Sequence, residues 1–505
     1  MKMSKGKIVM LTLDERPCNY DYPAMMPKTD YDLVLPPKDI MGDWKRPGNV
    51  ELIAEWVMEN AKNADALVLS LDALVYGGIV PSRLHMDKEE DLIKRVDIIK
   101  KLREINPKMK LYVFGLIMRC PSYSSDAEEP DYYEECGAEI HLYGKYTHME
   151  KLGIMTDEDI KDFERVKKAV KEEYLDDYLT RRKTNRAVLM HALSYAADDT
   201  VDYFIVPQDD AAVYGFTAMD QVEVREFLKS NVLHKKTAMY PSADDIGLTL
   251  LARAVAQLSG VRPKVYVHYS SIKGGLTIPQ VEDRIVGETL KYHILSVDGI
   301  QVYSLPEADI LLAVNVGSDM METYDLPSVI AYDIERNLAE FVNYMQYALS
   351  LNKIVAIADI ARLNTADKEL TAILHKEKMM FDIHAYAGWN TSSNTTGTTL
   401  CQAILYMLGK DKKQNDNFLV HRYFEDIGYM GYARKYVTEN LLPDMGYDFY
   451  GIDAKDGKVA ELVKDAICSY MEENYPDVYS RVEDVTVKMP WIRMFETDVK
   501  VKTKL

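Results

Sequence analysis

Residues 66–78 read ALVLSLDALVYGG: a Leu- and Val-rich run about the length of a buried strand, stopping on Asp72. The same pattern recurs in IVMLTLDERP at 8–17 (Asp14, Glu15), YFIVPQDDAAVYG at 203–215 (Asp209, Asp210) and IVAIADIARLN at 354–364 (Asp359). Apolar runs of this kind, with helical patterns between them, predict parallel strands joined by helical crossovers. In such sheets the carboxyl ends of the strands share one edge, and ligands bind there. Four acidic strand ends from distant segments therefore predict one acidic site assembled from many loops, which suits an enzyme better than a scaffold.

Working outward, strands are predicted at Ile8–Leu13, Tyr31–Leu35, Ala66–Leu71 and Lys110–Ile117, with helices over Val50–Asn63 and Glu89–Ile105. Arg119–Tyr146, rich in Pro, Tyr and acid, reads as a long irregular loop that opens an excursion over the active face or, as the alternative, a helical arm for dimerisation. Asp157–Ala197 then reads as one or two long helices, with Thr156 as N-cap. Alternation resumes with strands at Tyr203–Val206, Thr237–Tyr240, Lys264–His268, Ile310–Val314, Ile354–Ala358 and Phe381–Ala385. Helices are predicted over Met219–Ser230, Asp245–Ser259, Val281–Ser296, Ser328–Ser350 and Gly397–Gly409. The expected fold is α/β, mostly parallel strands with helical crossovers in two tandem doubly wound lobes; the alternative is an elaborated (β/α)8 barrel. The expected domains are 1–235, with a helical insertion at about 119–200, then 236–410, and a less regular Tyr-rich region at 411–505 that ends in a closing strand.

At 505 residues the chain exceeds one ordinary core. Its 80 acidic against 61 basic residues give a net charge of −19, which disfavours nucleic acid as a partner but leaves a local basic pocket open. No run approaches a membrane span, and the amino terminus shows no signal-peptide core. Five scattered cysteines without CxxC spacing argue against disulfides or a zinc ribbon and predict a cytoplasmic protein with reduced thiols. The 35 tyrosines against 11 phenylalanines suit wet, carbohydrate-like pockets, although bias in composition explains them equally.

The candidate site residues follow from the strand ends. Asp14 and Glu15 lie beside Arg16, which keeps carboxylates ionised and oriented, or simply pairs with them structurally. Asp72 is followed by Tyr76, the pair Gly77–Gly78, and Arg83 behind a proline. Asp209 and Asp210 are adjacent carboxylates that can split acid and base roles or hold Mg²⁺ or Mn²⁺. Asp244 and Asp245 follow Ser242 at capping-box spacing, so capping competes with substrate contact. Asp359 and Asn364 share one loop; Trp389, Asn390 and Asn394 sit in another, GWNTSSNTTG, whose amides suit hydroxyl groups and whose indole suits a sugar face. No Walker loop, GxGxxG after a strand, HExxH or GxSxG is present.

With LDERP, DALVYGG-x-PSR, PQDDA, AYAGWNTSSNTTG and PWIRMFE (490–496) together, the chain resembles a bacterial family designated domain of unknown function 4127. The resemblance spans nearly the whole chain and implies a bacterial cytoplasmic protein, but it carries no catalytic residues across. The function expected from the residues is a hydrolase acting on a small carbohydrate, a glycosidase with paired carboxylates. Asp209 or Asp210 would be one and Asp72 or Asp14 the other, with Glu15, Arg16, Tyr76, Arg83, Asp244, Asp245, Asp359, Asn364, Trp389, Asn390 and Asn394 binding substrate. A Mg²⁺- or Mn²⁺-dependent hydrolase and a non-catalytic sugar-binding protein are the alternatives. No cofactor or resident metal is expected in the first reading, and a homo-oligomer is compatible with it.

Overall fold

The computed structural model describes residues 4–317, 322–323 and 334–504. The first of two open parallel sheets contains β1 (Gly6–Leu11), β2 (Tyr31–Val34), β3 (Ala66–Ser70), β4 (Lys110–Phe114), β5 (Tyr203–Gln208) and β6 (Thr237–Pro241), ordered β2-β1-β3-β4-β5-β6. Its central strands are buried on both faces: every residue of β3 and β5 is buried, which is why they read as unbroken apolar runs. The register pairs Ile8 with Ala66 and Leu11 with Leu69, so the loops after β1 and β3 open at the same edge.

The second sheet contains β7 (Lys264–Tyr269), β8 (Ile300–Val302), β9 (Ile310–Asn315), β11 (Ile354–Asp359) and β13 (Ala385–Ala387), ordered β13-β11-β9-β7-β8. A two-residue pair, β10 (Glu322–Thr323) with β12 (Arg362–Leu363), lies beside it. Numbered within its own segment, the second sheet has the order 2-1-3-4-5, and the first has the same order with a sixth strand added. Both are doubly wound, with the topological switch point between the first and third strands of each. Neither sheet closes on itself, so the tandem arrangement holds and the barrel alternative does not.

Two helices join the lobes. Ile246–Leu258 covers the first sheet and Ser392–Gly409 the second, and they pack against each other with nearly every facing residue buried. The contact is close enough that a Cβ at Gly397 would overlap the Asp245 carboxylate. One continuous apolar core runs from Ile8 and Met10 through Leu312, Ile357 and Phe418 to Val499, so both sheets and the C-terminal region share it. The C-terminal closing strand is β15 (Asp498–Thr503), paired antiparallel with β14 (Val482–Lys488).

Several boundaries differ from expectation. The first sheet extends to Pro241, because β6 pairs with β5, so the lobe boundary lies beyond 235. The stretch expected to be irregular contains the helix Tyr133–Leu152; its buried face is Tyr133, Cys136, Gly137, Ile140 and Gly144, which shows no aliphatic stripe in sequence. Glycine at 137 and 144 makes room for the rings of Tyr133 and Phe216. Glu89–Ile105 breaks into two helices at Asp97, whereas Asp157–Ala197 is two long helices meeting near Val170, one of the two forms expected. Thr156 caps with a full capping box, as expected. The strand expected at Phe381–Ala385 is Ala385–Ala387, and the helix expected from Gly397 begins at Ser392. Of the helix expected over 328–350, residues 328–333 lie outside the described ones, and Leu338–Ser350 is helical.

Candidate active site

The strand-end loops of the first sheet deliver arginines and carboxylates in alternation. After β1, Asp14 accepts from the Arg16 amide (3.0 Å), from Arg16 Nε and Nη2 (3.0 and 2.6 Å) and from Asn19 Nδ2 (3.0 Å). The same Arg16 Nη2 reaches Asp244 Oδ1 at 2.6 Å, beyond β6. After β3, Arg83 spreads its fork between two carboxylates: Nη2 to Asp209 Oδ2 at 2.6 Å and Nη1 to Glu128 Oε2 at 2.8 Å. Arg119 donates to Glu129 (2.7 Å) and Asp210 (3.1 Å), and Arg493 donates to Glu128 Oε1 at 2.6 Å.

All of these groups except Asp14, Asn19 and Glu129 line a cavity of about 430 Å³ at the carboxyl edge of the first sheet. Arg16, Arg83, Arg119, Glu128, Asp209, Asp210 and Asp244 form one side; Asn364, Asn390, Thr391 and Asn394 come from the second lobe. Arg434, Lys435, Phe449, Tyr450 and Arg493 come from the C-terminal region. A chain of net charge −19 thus gathers five arginines and a lysine around one space; Arg16, Arg83, Arg119, Arg493 and Lys435 meet carboxylates, and Arg434 donates to the Phe495 and Asn364 carbonyls. Of the eleven non-glycine residues with left-handed φ among the described residues, three line the cavity: Asp210, Val281 and Asn364, with φ of 45°, 57° and 58°. A left-handed conformation in a β-branched residue is costly and persists where the surroundings force it, as at functional sites.

The charge states diverge across the Arg83 fork. Burial, reinforced by the neighbouring Asp210 charge, pushes Asp209 up to about 7 against the pull of Arg83 and Arg119. Burial works on Glu128 as well, but the guanidiniums of Arg119, Arg493 and Arg83 outweigh it and hold Glu128 well below the usual carboxylate range. One carboxyl of the pair is suited to carry a proton near neutrality, and the other to stay ionised.

Of the residues predicted from sequence, Arg16, Arg83, Asp209, Asp210, Asp244, Asn364, Asn390 and Asn394 do line the cavity. Asn390 reaches Asp244 Oδ2 at 3.3 Å. Asn394 accepts from the amides of Ala243, Asp244 and Asp245 (3.2, 2.9 and 3.3 Å), so it holds the turn that leads into a helix of the other lobe while bordering the cavity. That replaces the capping box expected from Ser242 and Asp245, whose side chains bond to each other instead.

The remaining predicted residues turn away. Asp14 is spent on Arg16 and Asn19. Asp72 accepts from the Leu116 amide (3.1 Å) and, with Tyr76, borders a water-sized crevice of about 10 Å³ behind Arg83. Tyr76 packs on His85. Glu15 accepts from the Trp44 amide (2.8 Å) and Trp491 Nε1 (2.7 Å). Asp245 is fully buried on Thr249 (2.8 Å), and Asp359 on Asn315, Tyr386 and the Asp367 amide. Trp389 is buried edge-on to Tyr22 with Arg422 over its ring, so it offers no face to a ligand.

Sequence reasoning missed Arg119, Tyr123, Glu128, Arg434, Phe449 and Tyr450. The segment Arg119–Glu129 brings Arg119, Tyr123 and Glu128 to the cavity and is held by Trp44 Nε1 on the Ala127 carbonyl (2.7 Å) and Lys45 on Asp126 (3.1 Å). Its density of acid was the available signal. Arg493 lay within the PWIRMFE motif, where it shares the Trp491 ring with Arg16, at 4.8 and 4.3 Å from the ring centroid.

The model of the family described as a protein of unknown function, DUF4127, matches residues 8–500. The chain belongs to that family. The match takes in both lobes and the C-terminal region, and so every residue of the cavity. No curated protein matches the chain. Among the described residues no helix is long and apolar enough to cross a membrane, no three His, Cys, Asp or Glu side chains group so as to hold a metal ion, and all five cysteines are free thiols.

Proposed function

We propose that this protein is a hydrolase of small carbohydrates, a glycosidase in which Asp209 is the proton donor and Glu128 the ionised partner. The observation that carries the reading is the Arg83 fork: it grips both carboxyls at the edge of one cavity while their surroundings drive them to opposite charge states. Pairs separated in this way are how acid and base roles are assigned. Two hydrogen bonds and the fork limit the separation of the bonded oxygens to at most about 8 Å, a limit that admits the roughly 5–5.5 Å of a retaining pair.

In this mechanism Asp209 gives its proton to the leaving glycosidic oxygen as the C–O bond breaks, and Glu128 takes the anomeric carbon. Water then attacks that carbon, passes one proton to the Asp209 carboxylate and releases Glu128, so both groups return to their starting state. A carboxylate of such low basicity suits a nucleophile or charge stabiliser better than a general base. The amides of Asn364, Asn390 and Asn394 supply polar contacts for hydroxyl groups. The partner is then a small-molecule carbohydrate, and the free thiols fit a cytoplasmic setting.

The test is turnover of a glycoside panel, with and without EDTA, by the wild type, Asp209→Asn and Glu128→Gln. EDTA-resistant cleavage lost in both variants supports the reading, and cleavage lost with EDTA would move the assignment to a metal-dependent hydrolase. Binding without cleavage would leave a sugar-binding protein. Against that reading, the core shared by both lobes gives them no hinge on which to close around a ligand.

A further inference from the structure

Exposure orders the cavity from floor to mouth. Asn394, Arg16, Asp244 and Asn390, together with Arg83, Arg119 and Arg493, are only 2–8 % exposed and form the inner lining. The side chains of Asp209 and Asp210, at 17 % and 22 %, stand midway. Tyr123 and Tyr450, at 44 % and 55 %, are at the rim. A ring at a cavity mouth is an amphipathic surface with a polar tip, suited to a ligand that is itself part apolar and part polar.

The two rim rings are held from different parts of the chain. Tyr450 follows an Asx turn, in which Asp448 Oδ1 accepts from its amide at 2.8 Å, and it stands edge-on to Phe449 with ring centroids 5.1 Å apart. Tyr123 belongs to the segment that also carries Arg119 and Glu128, and its ring feels the charges of Arg119, Glu128 and Asp210. Its phenol is therefore close to the carboxyl layer, while much of its ring remains open to solvent.

A sugar cleaved by this arrangement lies against the inner lining, and the proton donor stands between that sugar and the mouth. What lies outward of the donor is the leaving group. We infer that Tyr123 and Tyr450 form a subsite for a second sugar ring, so that the substrate is a disaccharide or longer saccharide rather than a simple small glycoside. This rests on the carbohydrate reading above. A pyranose presents C–H faces that an aromatic ring covers, and the phenol of Tyr123 provides a donor for a ring hydroxyl.

The experiment uses the full chain and has two readouts. Calorimetric titration compares monosaccharides with their disaccharides for the wild type, Tyr123→Ala and Tyr450→Ala. The expected result is at least tenfold tighter binding of a disaccharide by the wild type, with the advantage removed or cut to a few-fold in either variant. Equal affinity for one-ring and two-ring ligands, an advantage that survives in both variants, or no saccharide binding overturns the inference. Turnover of glycosyl fluorides, which have no leaving ring, reports the chemistry separately. The disaccharide-to-fluoride ratio of kcat/KM should fall about tenfold in the variants. No fluoride turnover would sink the glycosidase reading and leave the subsite to be decided by calorimetry.

Discussion

Asp209 and Glu128 share one guanidinium, yet burial raises Asp209 to about 7 while the guanidiniums hold Glu128 low, and in the proposed mechanism this difference predicts a pH profile. As proton donor in the proposed mechanism Asp209 must be protonated, so glycosidase activity should fall as pH rises through about 7. It also requires Glu128 ionised, so the acid limb lies well below 4.5, the ordinary value for glutamate. Asp210 raises Asp209 through its charge; Asp210→Asn should therefore move the alkaline limb of kcat/KM to lower pH, measured against the same limb in the wild type. An unmoved limb would mean that Asp209 is not the titrating donor. Asp209→Asn should lower kcat by roughly 10²–10⁴-fold, the usual worth of a positioned acid, with binding of substrate retained. Measurement of kcat beside Kd separates that result from a loss of fold or affinity.

Elements explain why some of these residues were legible and others were not. Strands buried on both faces must be continuous apolar runs, so β1, β3, β5 and β11 and their acidic ends stand out in the sequence. Which way an acid turns at a strand end does not. Asp14 folds back onto Arg16 and Asp72 onto the Leu116 amide, while Asp209 meets Arg83 at the cavity. Glu128 has no periodic pattern around it, because tertiary bonds from Arg119, Trp44 and Lys45 fix its segment. Trp389 misleads because an indole beside amides suits a sugar and a core equally; here Tyr22 and Arg422 enclose it. Asn394 is a mixed case, since one oxygen accepts three amides in the turn that leads into the helix Ile246–Leu258. Removing a buried acceptor strands its donors, so Asn394→Ala should cost about 1–3 kcal/mol, read as a lower urea midpoint with unchanged m. A midpoint equal to that of the wild type would show that these bonds contribute nothing.

Across the whole molecule the lobes are bound by one core and by buried carboxyls on either side of the junction. Thermal unfolding should accordingly be a single transition by near-UV dichroism and by calorimetry, without separate melting of two lobes. Burial holds Asp72 and Asp245 up at about 7 and Glu282 up at about 8, well above their ordinary 3.8 and 4.5. Between roughly pH 4 and these raised values the folded chain binds more protons than the unfolded one, so unfolding free energy falls as pH increases. The contribution of these groups is complete below about pH 4 and is lost as pH passes through 7 and 8. The melting temperature should therefore drop by several degrees from pH 5 to pH 8, opposite in sign to the effect of the ion-paired Glu128, whose contribution is lost only in acid. Asp245→Asn keeps the side chain's size and removes the proton it must lose, so it should flatten the slope. A melting temperature that rises over this range, or a slope unchanged in the variant, would mean that these carboxyls are ionised in the folded protein, and that the Asp245 charge beside His293 is compensated from within the junction.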